Sequence, residues 1–452
     1  MEESERREAT DLGEDAHLLR PIEKTGRGFW VFVGILLAIG VWGIFAWVTQ
    51  LRRGLSVTGL NVPVYWGFYI TNFVFFIGIS HAGTLISAIL RLAHAEWRRP
   101  ITRAAEVITV LVLFFGLGCV ILDLGRPDRA LNVLLHGNVT SPLLWDVASI
   151  STYLTGSTIY LYLPLIPDIA ILRNHVPGRR WFYRILALGW TGTPRQKRLL
   201  EKAIAVMAVI VIPIAISVHT VVSWVFAMTV QPMWHSTIFG PYFVVGAIFS
   251  GIAAILIAMA VIRKAYHLEN YLKPIHFNNL GLLLLVFTLL WFYFTFAEFL
   301  TTYYGAEPTH MAVFLSKTEG KFSPYFWTMV VTCFAIPFSL LANGRTRGTV
   351  WGCVTASVSI EVGMWLERFL IVVPSLSNPR LPLSASSYVP SWVEWSLFAA
   401  FVSIFILLYA VFTKLFPIIS IWEVGEGREH SVRDVTVRVE SYLPETPETH
   451  HA

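Results

Sequence analysis

The sequence predicts an all-α, polytopic membrane protein, and three observations carry that reading. Of 452 residues, 55% are hydrophobic and only 14% charged, with a mean hydropathy of +0.61; soluble domains carry about 25% charged residues. The apolar residues gather into runs of 20 or more, and about 20 suffice to cross roughly 30 Å of hydrocarbon. The basic residues behind the net charge of +5 lie in short loops between these runs. There they set membrane orientation rather than a nucleic-acid surface.

Residues 1–28 form a charged tail, too polar for a signal peptide, which needs an apolar core. Apolar runs follow at 29–48, 64–92, 104–123, 142–172, 199–226, 237–262, 277–304, 323–342, 349–374 and 392–415, which predicts ten transmembrane helices. The stretch 416–452 is polar, acidic near its end, and reads as a disordered tail. GFYITNFVFFIGISHAGTLISAILRLAHAEW (67–97) echoes GPYFVVGAIFSGIAAILIAMAVIRKAYHLEN (240–270) in its Tyr-containing entry, small central residues and basic exit. Such a parallel repeat divides the membrane region into four-helix bundles at 64–226 and 237–374, flanked by peripheral helices at 29–48 and 392–415.

Alternate loops differ in basic content. One set, around 91–103, 173–202, 263–273 and 345–347, carries 17 Lys/Arg, and the other carries 7. By the positive-inside rule the first set and both termini are cytoplasmic. The loops around 124–141, 227–236 and 375–391 then face outward. In a bacterial cell this is a multi-pass protein of the inner membrane.

The run 66–92 organises the chain. Its small residues (Gly78, Ser80, Ala82, Gly83, Thr84, Ser87, Ala88) allow close helix approach, which predicts packing in protein rather than in lipid. His81 lies among them at mid-depth, where an ionisable side chain marks a site or pathway, or else a packing histidine. Other ionisable groups at depth are Asp123 at the outer end of helix 3, followed by Arg126, and Asp146 one turn into helix 4. His219 lies in the outer third of helix 5 and Glu298 in that of helix 7, while helix 9 carries Glu361, Glu367 and Arg368. The outward bias predicts a site opening toward the periplasmic face. Adjacent helical residues do not face each other, so Arg368 is expected to pair with a carboxylate on another helix rather than with Glu367. The competing reading makes these charges structural ion pairs.

Cys119, Cys333 and Cys353 stand singly, with no C-x-x-C or C-x-x-C-H motif, so the chain itself should bind neither an iron–sulfur cluster nor c-type haem. Only His81 and His219 lie at membrane depth, too few for a di-haem cytochrome. One bis-histidine haem remains open.

IGISHAGTLISAIL, LDLGRPDRALNVL and SPLLWDVASISTYL resemble the NrfD/polysulfide-reductase membrane-subunit family. LIPDIAILR, ILALGWTGTPRQ, SVHTVVSWVFAM, WHSTIFGPYFVVGAIFSG and GMWLERFLIVVPSL resemble, within it, the C subunit of bacterial alternative complex III. The likeness covers about 60–424. It implies ten helices in two four-helix bundles and a menaquinol or other quinol bound near the periplasmic face, with no redox metal on this chain. The partners it implies are an iron–sulfur subunit with [3Fe–4S] and [4Fe–4S] clusters, multihaem and monohaem cytochrome c subunits, and a second NrfD-like membrane subunit. On this reading His81 and Asp146 hydrogen-bond or deprotonate the quinol, and Asp123, Arg126 and His219 shape the mouth. Glu298, Glu361, Glu367 and Arg368 form a proton path. The chain departs from several relatives in Ile79-Ser80 beside the histidine and in a short loop after Arg126.

The alternative is a quinone-reducing anchor of a molybdopterin oxidoreductase of the polysulfide or sulfite type. A third class is a secondary transporter, disfavoured by the outward bias of the charges and the lack of broken helices apart from Pro213 and Pro337. The orientation is directly testable. A reporter fused after residue 185 should read cytoplasmic and one near 232 periplasmic, and reversal of both would invert every depth assigned above.

Overall fold

The computed structural model describes residues 17–23, 25–381, 383 and 387–428, without the side chains of Thr84 and Leu85. Ten long helices dominate it: α1 (Arg27–Arg53), α2 (Phe68–Leu92), α3 (Thr102–Asp123), α4 (Pro142–His175), α5 (Pro194–Ala227), α6 (Phe239–Ala265), α7 (Pro274–Gly305), α8 (Ser323–Ala342), α9 (Val350–Ser377) and α10 (Trp392–Leu415). Nine are long and apolar enough to cross a membrane among the described residues. The tenth, α9, has 28 residues. At about 1.5 Å per residue it is also long enough, but Glu361, Glu367 and Arg368 lower its hydropathy. There is no β-strand among the described residues.

Start signals match the sequence at several ends. Ser391 caps α10 and Glu394 caps back, while Thr193 and Gln196 do the same for α5. Proline occupies the first turn of α4, α5 and α7, where its missing N–H costs nothing.

The helix α1 packs along α10, with Gly43 so close to Ala400 that an added Cβ would lie 2.1 Å from its methyl. The helices α2 to α5 pack on one another, as do α6 to α9, and α6 lies against both halves of α2. Side-chain contacts sort the loops into two ends. At one end Arg103, Arg179 and Tyr183 reach the carbonyls of Pro417, Lys414 and Leu415. At the other, the Gly59 N–H donates to Glu394, Lys321 to Ser387, and Trp234 to the Ile371 carbonyl. The first, basic end holds the loops richer in Lys/Arg.

The helix α2 is not continuous: it is interrupted at Ser80 and restarts at His81. This corrects the expectation that only Pro213 and Pro337 would break helices. No proline is involved. The Gly83 N–H donates to Thr109 Oγ1 on α3 (3.0 Å), and Thr109 donates to the Ser80 carbonyl (2.7 Å). Tyr153 of α4 donates to the same carbonyl (3.0 Å), and Ser80 Oγ to that of Ile77 (2.5 Å). Side chains inserted into the backbone ladder are a recognised cause of breaks. The helix α5 runs through Pro213, while α8 contains a π-turn at Val331–Ala335 just before Pro337.

The tails also depart from expectation. Leu18, Leu19 and Ile22 are buried in the core rather than part of a free tail. Residues 416–428 fold back over the basic end, although the sequence reads as disordered from 416; residues 429–452 lie outside the described ones. Asp168, fully buried, pairs with Arg103 and accepts the Ile421 and Trp422 N–H groups (3.2 and 3.1 Å). Glu423 takes Arg91 (2.5 Å) and Arg98 (3.5 Å). Burial disfavours the Glu423 carboxylate, but the two guanidiniums outweigh it and hold the group below the usual carboxylate range. The basic cluster of Arg91, Arg98 and Arg103 thus binds the chain's own segment around Glu423.

Close helix approach around the break is enforced by glycine. A Cβ on Gly251 of α6 would lie 2.6 Å from Ala82 N and 2.9 Å from Ala82 Cα, backbone that cannot swing away. Gly156 of α4 has only Ile214 Cδ1 nearby, at 3.9 Å. Gly251→Ala should therefore destabilise by about 1–3 kcal/mol, whereas Gly156→Ala should be neutral or stabilising by up to about 1 kcal/mol. Thermal unfolding in detergent checks the contrast; equal midpoints would contradict it.

Candidate functional site

The break places His81 where α2, α4, α5 and α6 converge. The imidazole is fully buried and its centroid is 3.7 Å from that of His219 on α5, with the rings inclined at 67°. The Tyr153 ring stands edge-on at 5.8 Å. All four ring nitrogens of the two histidines are buried, and none has a hydrogen-bond partner among the described residues. The Ala215 and Ile77 carbonyls lie close by, outside hydrogen-bond geometry. Four such unpaired atoms are costly in any folded interior, so they mark a place prepared for hydrogen bonding. The rings touch directly, so a haem ligated between them would require them to part.

From the second group of helices, Arg368 of α9 points toward this pair. Its guanidinium stacks over the Phe243 ring at 5.3 Å and lies within Coulombic reach of His219. A Cβ on Gly246 would be 2.7 Å from Arg368 Nη2, so the guanidinium would have to shift to admit a side chain there. Arg368 Nη1 lies 2.7 Å from Glu367 Oε2, which corrects the expectation of a partner on another helix. Both side chains are directed into the same crowded interior, and proximity alone brings them together. Neither atom has a hydrogen-bond partner among the described residues, so the contact is Coulombic without hydrogen-bond geometry. Glu367 Oε1 instead accepts from Tyr242 and from Trp291 Nε1 (2.7 Å).

Beyond Glu367, away from the basic end, a small cavity of about 40 Å³ is lined by Glu298, Lys317, Glu367, Tyr242 and Trp234. Ser236 Oγ donates to Glu298 (2.7 Å). Lys317, in the short helix Pro308–Thr318 between spans, is 6% exposed, and burial pushes its ammonium down to about 8 against the opposing pull of Glu298 and Glu367. A cavity of this size has room for a water molecule.

The remaining sequence candidates are more dispersed. Asp146 is buried on α4, two turns before Tyr153, and its Oδ1 has no partner among the described residues. No hydrogen bond joins it to His81, and His219 rather than Asp146 is the ionisable group against that ring. Asp123 ends α3 with Oδ1 buried and likewise unpartnered. Arg126 is 64% exposed and forms a two-point pair with Asp128 (2.9 and 3.0 Å), which holds the Asp128 carboxyl below the usual range. Glu361 has both carboxyl oxygens buried and unpartnered, and it lines a separate, apolar cavity of about 970 Å³ toward the basic end. None of His81, Asp146 or His219 lines that cavity. Unpaired polar atoms among the described residues concentrate at the histidine pair, whereas the larger cavity has Glu361 in an apolar wall and its other ionisable groups, Arg20, His267 and Lys414, at the basic end.

Sequence reading missed Thr109, Tyr153, Tyr242, Trp291 and Lys317. Lys317 alone carried a signal, a lone cation in the apolar stretch MAVFLSK; the others are ordinary helix residues until the packing is known.

The NrfD family model (Polysulphide reductase, NrfD) matches residues 56–379. The chain is 28% identical to a putative dimethyl sulfoxide reductase membrane subunit of Halobacterium salinarum, covering 77% of each chain. It is 23% identical to a selenate reductase subunit of Mesobacillus selenatarsenatis, over 86% of this chain and 94% of that one. Against an Hdr-like menaquinol oxidoreductase integral membrane subunit of Archaeoglobus fulgidus the identity is 24%, over 88% and 96%. A ten-helix membrane architecture, a match across α2 to α9 and relatives that are membrane subunits of oxidoreductases agree: the chain belongs to the NrfD polysulphide reductase family.

Proposed function

We propose that the chain is the quinol-binding membrane subunit of an alternative-complex-III-type oxidoreductase, working near the periplasmic face of a bacterial inner membrane with both termini cytoplasmic. The observation that carries this is the contact between His81 and His219 at the break in α2, with no ring nitrogen paired among the described residues. The residues fit a quinol: its two hydroxyls need acceptors, and His81, His219 and Asp146 offer unpaired nitrogens and an unpaired oxygen among otherwise apolar helices. A bound quinol supplies two electrons and two protons to its surroundings. Histidine is the side chain whose ordinary pKa, near 6.5, suits proton exchange at physiological pH. Tyr153 and the Gly83–Thr109–Ser80 bridge hold the His81 backbone in place. Arg368, Glu367 and Glu298 lead away from the pair toward Lys317 and the outer end, and with Glu361 they form the proposed proton path. The two four-helix groups, 64–226 and 237–374, would then meet at the site.

On this reading electrons pass to a partner iron–sulfur subunit and on to multihaem and monohaem cytochrome c subunits, beside a second NrfD-like membrane subunit. The relatives named for dimethyl sulfoxide and selenate reduction favour, equally, a quinone-reducing anchor of a molybdopterin enzyme. Co-purification in mild detergent followed by metal and haem analysis separates the two. Abundant c-type haem supports the first and molybdenum the second.

Proton exchange at a positioned group contributes typically about 10²–10⁴-fold to rate. His81→Gln, His219→Gln and Asp146→Asn should each lower quinol-linked turnover by at least about tenfold, allowing for partial rescue by water, in complexes whose subunits and cofactors are all retained. Near-normal turnover in intact His81 and His219 variants would remove the site from the pair.

A further inference from the structure

Apart from Glu361, the lining of the cavity of about 970 Å³ has no role in the function proposed above, and the cavity's shape has a simple physical reading. Its walls come from Phe75, Phe76 and Ile79 of α2 and from the facing sides of α3, α6 and α10. Along α6 it follows Ala254 to Ala265, and along α10 Val402 to Lys414. At about 1.5 Å per residue these edges are about 17 and 18 Å long. One leaflet contributes half of roughly 30 Å of hydrocarbon. The cleft therefore has the length of one leaflet, and an apolar cavity of this kind does not fill with water.

Its two ends differ in charge. At the basic end, where residues 263–273 and 414–426 gather, the lining includes Arg20, His267 and Lys414. Arg20 and His267 are exposed. Lys414 Nζ donates to the Pro21 carbonyl (2.7 Å) and stands 4.9 Å from the Phe29 ring, which fixes the cation at the rim. Glu361 is the one acidic residue among the described lining residues, and it lies at the deep end, on the middle of α9. Basic groups at the rim of an apolar groove of leaflet depth attract anionic lipid head groups.

We propose that this cleft seats one anionic phospholipid of the leaflet at the basic end. Its acyl chains lie between α2, α6 and α10, and its phosphate lies at Arg20, His267 and Lys414. A quinone carries no charge for these basic groups to attract, and a zwitterionic lipid carries no net opposite charge. The inference does not depend on the quinol site, because it uses neither His81 nor His219.

The test is lipid analysis rather than turnover. The protein, purified in mild detergent with whatever subunits accompany it, is extracted, and phospholipids and quinones are quantified by mass spectrometry. Wild type should retain one anionic phospholipid per chain. Each surface cation contributes about 1 kcal/mol to anionic-lipid attraction, so Arg20→Gln and Lys414→Gln should each lower retention about fivefold. Ala258→Trp, which fills the cleft, should abolish it. Three outcomes overturn the proposal: retention indifferent to both charges, equal retention of zwitterionic lipid, or a quinone lost with Ala258→Trp but unaffected by the charge variants. Arg20 is exposed, so its variant stays informative even where the tryptophan variant does not assemble.

Discussion

Backbone polar groups released inside a bilayer cost several kcal/mol each unless protein takes them up. In α2 that requirement is met at Ser80 by side chains from two other helices. Thr109 accepts from the Gly83 N–H and donates to the Ser80 carbonyl, and Tyr153 donates to the same carbonyl. The interruption thus exists only while α3 and α4 are docked. Secondary structure here is a consequence of tertiary packing. Gly83 makes the docking of α3 possible and Gly251 the approach of α6, because a Cβ at either would meet neighbouring backbone.

The same arrangement assembles the candidate site. The helix restart directs His81 into the helix junction, and α5 delivers His219 against it. Arg368 arrives from the second helix group past Gly246, where a side chain would require the guanidinium to shift. Buried charge is costly unless paired and hydrogen-bonded, and Glu367 is accordingly held by Tyr242 and Trp291 as well as by Arg368. In the Arg103–Asp168 cluster at the basic end, both carboxylate oxygens and both terminal guanidinium nitrogens are bonded, and only Arg103 Nε lacks a partner among the described residues. That cluster is structural, since its other partners are backbone and Ser420. The histidine pair, whose ring nitrogens have no partner among the described residues, is the place proposed above for an incoming molecule. The difference between the two clusters lies in their hydrogen-bond accounts rather than in their composition.

Membership of the NrfD family sets the candidate site among membrane subunits of oxidoreductases. Relatives in dimethyl sulfoxide, selenate and menaquinol systems are membrane subunits of larger oxidoreductases. The hydrogen bonding and proton exchange proposed for this chain rest on its interior polar groups. The broken α2 removes one objection to a transporter, but its unpaired groups are equally suited to a quinol, and the relatives are oxidoreductase subunits.

Hydrophobicity and loop charge determined the membrane class, the ten helices and their ends to within a few residues, because burial in hydrocarbon acts on every run independently of its neighbours. Candidate ionisable groups were legible for the same reason: a histidine or carboxylate in an apolar run stands out against its own segment. Their partners were not legible. Which ring meets His81, why α2 stops at Ser80, and that Glu367 rather than a distant carboxylate lies against Arg368 depend on how helices far apart in sequence are rotated against each other. The docking of 416–428 likewise could not be read from a polar composition, since its anchor, Asp168, is about 250 residues earlier in the chain. A sequence states the cost of burying each group, and only the tertiary structure decides which other group offsets it.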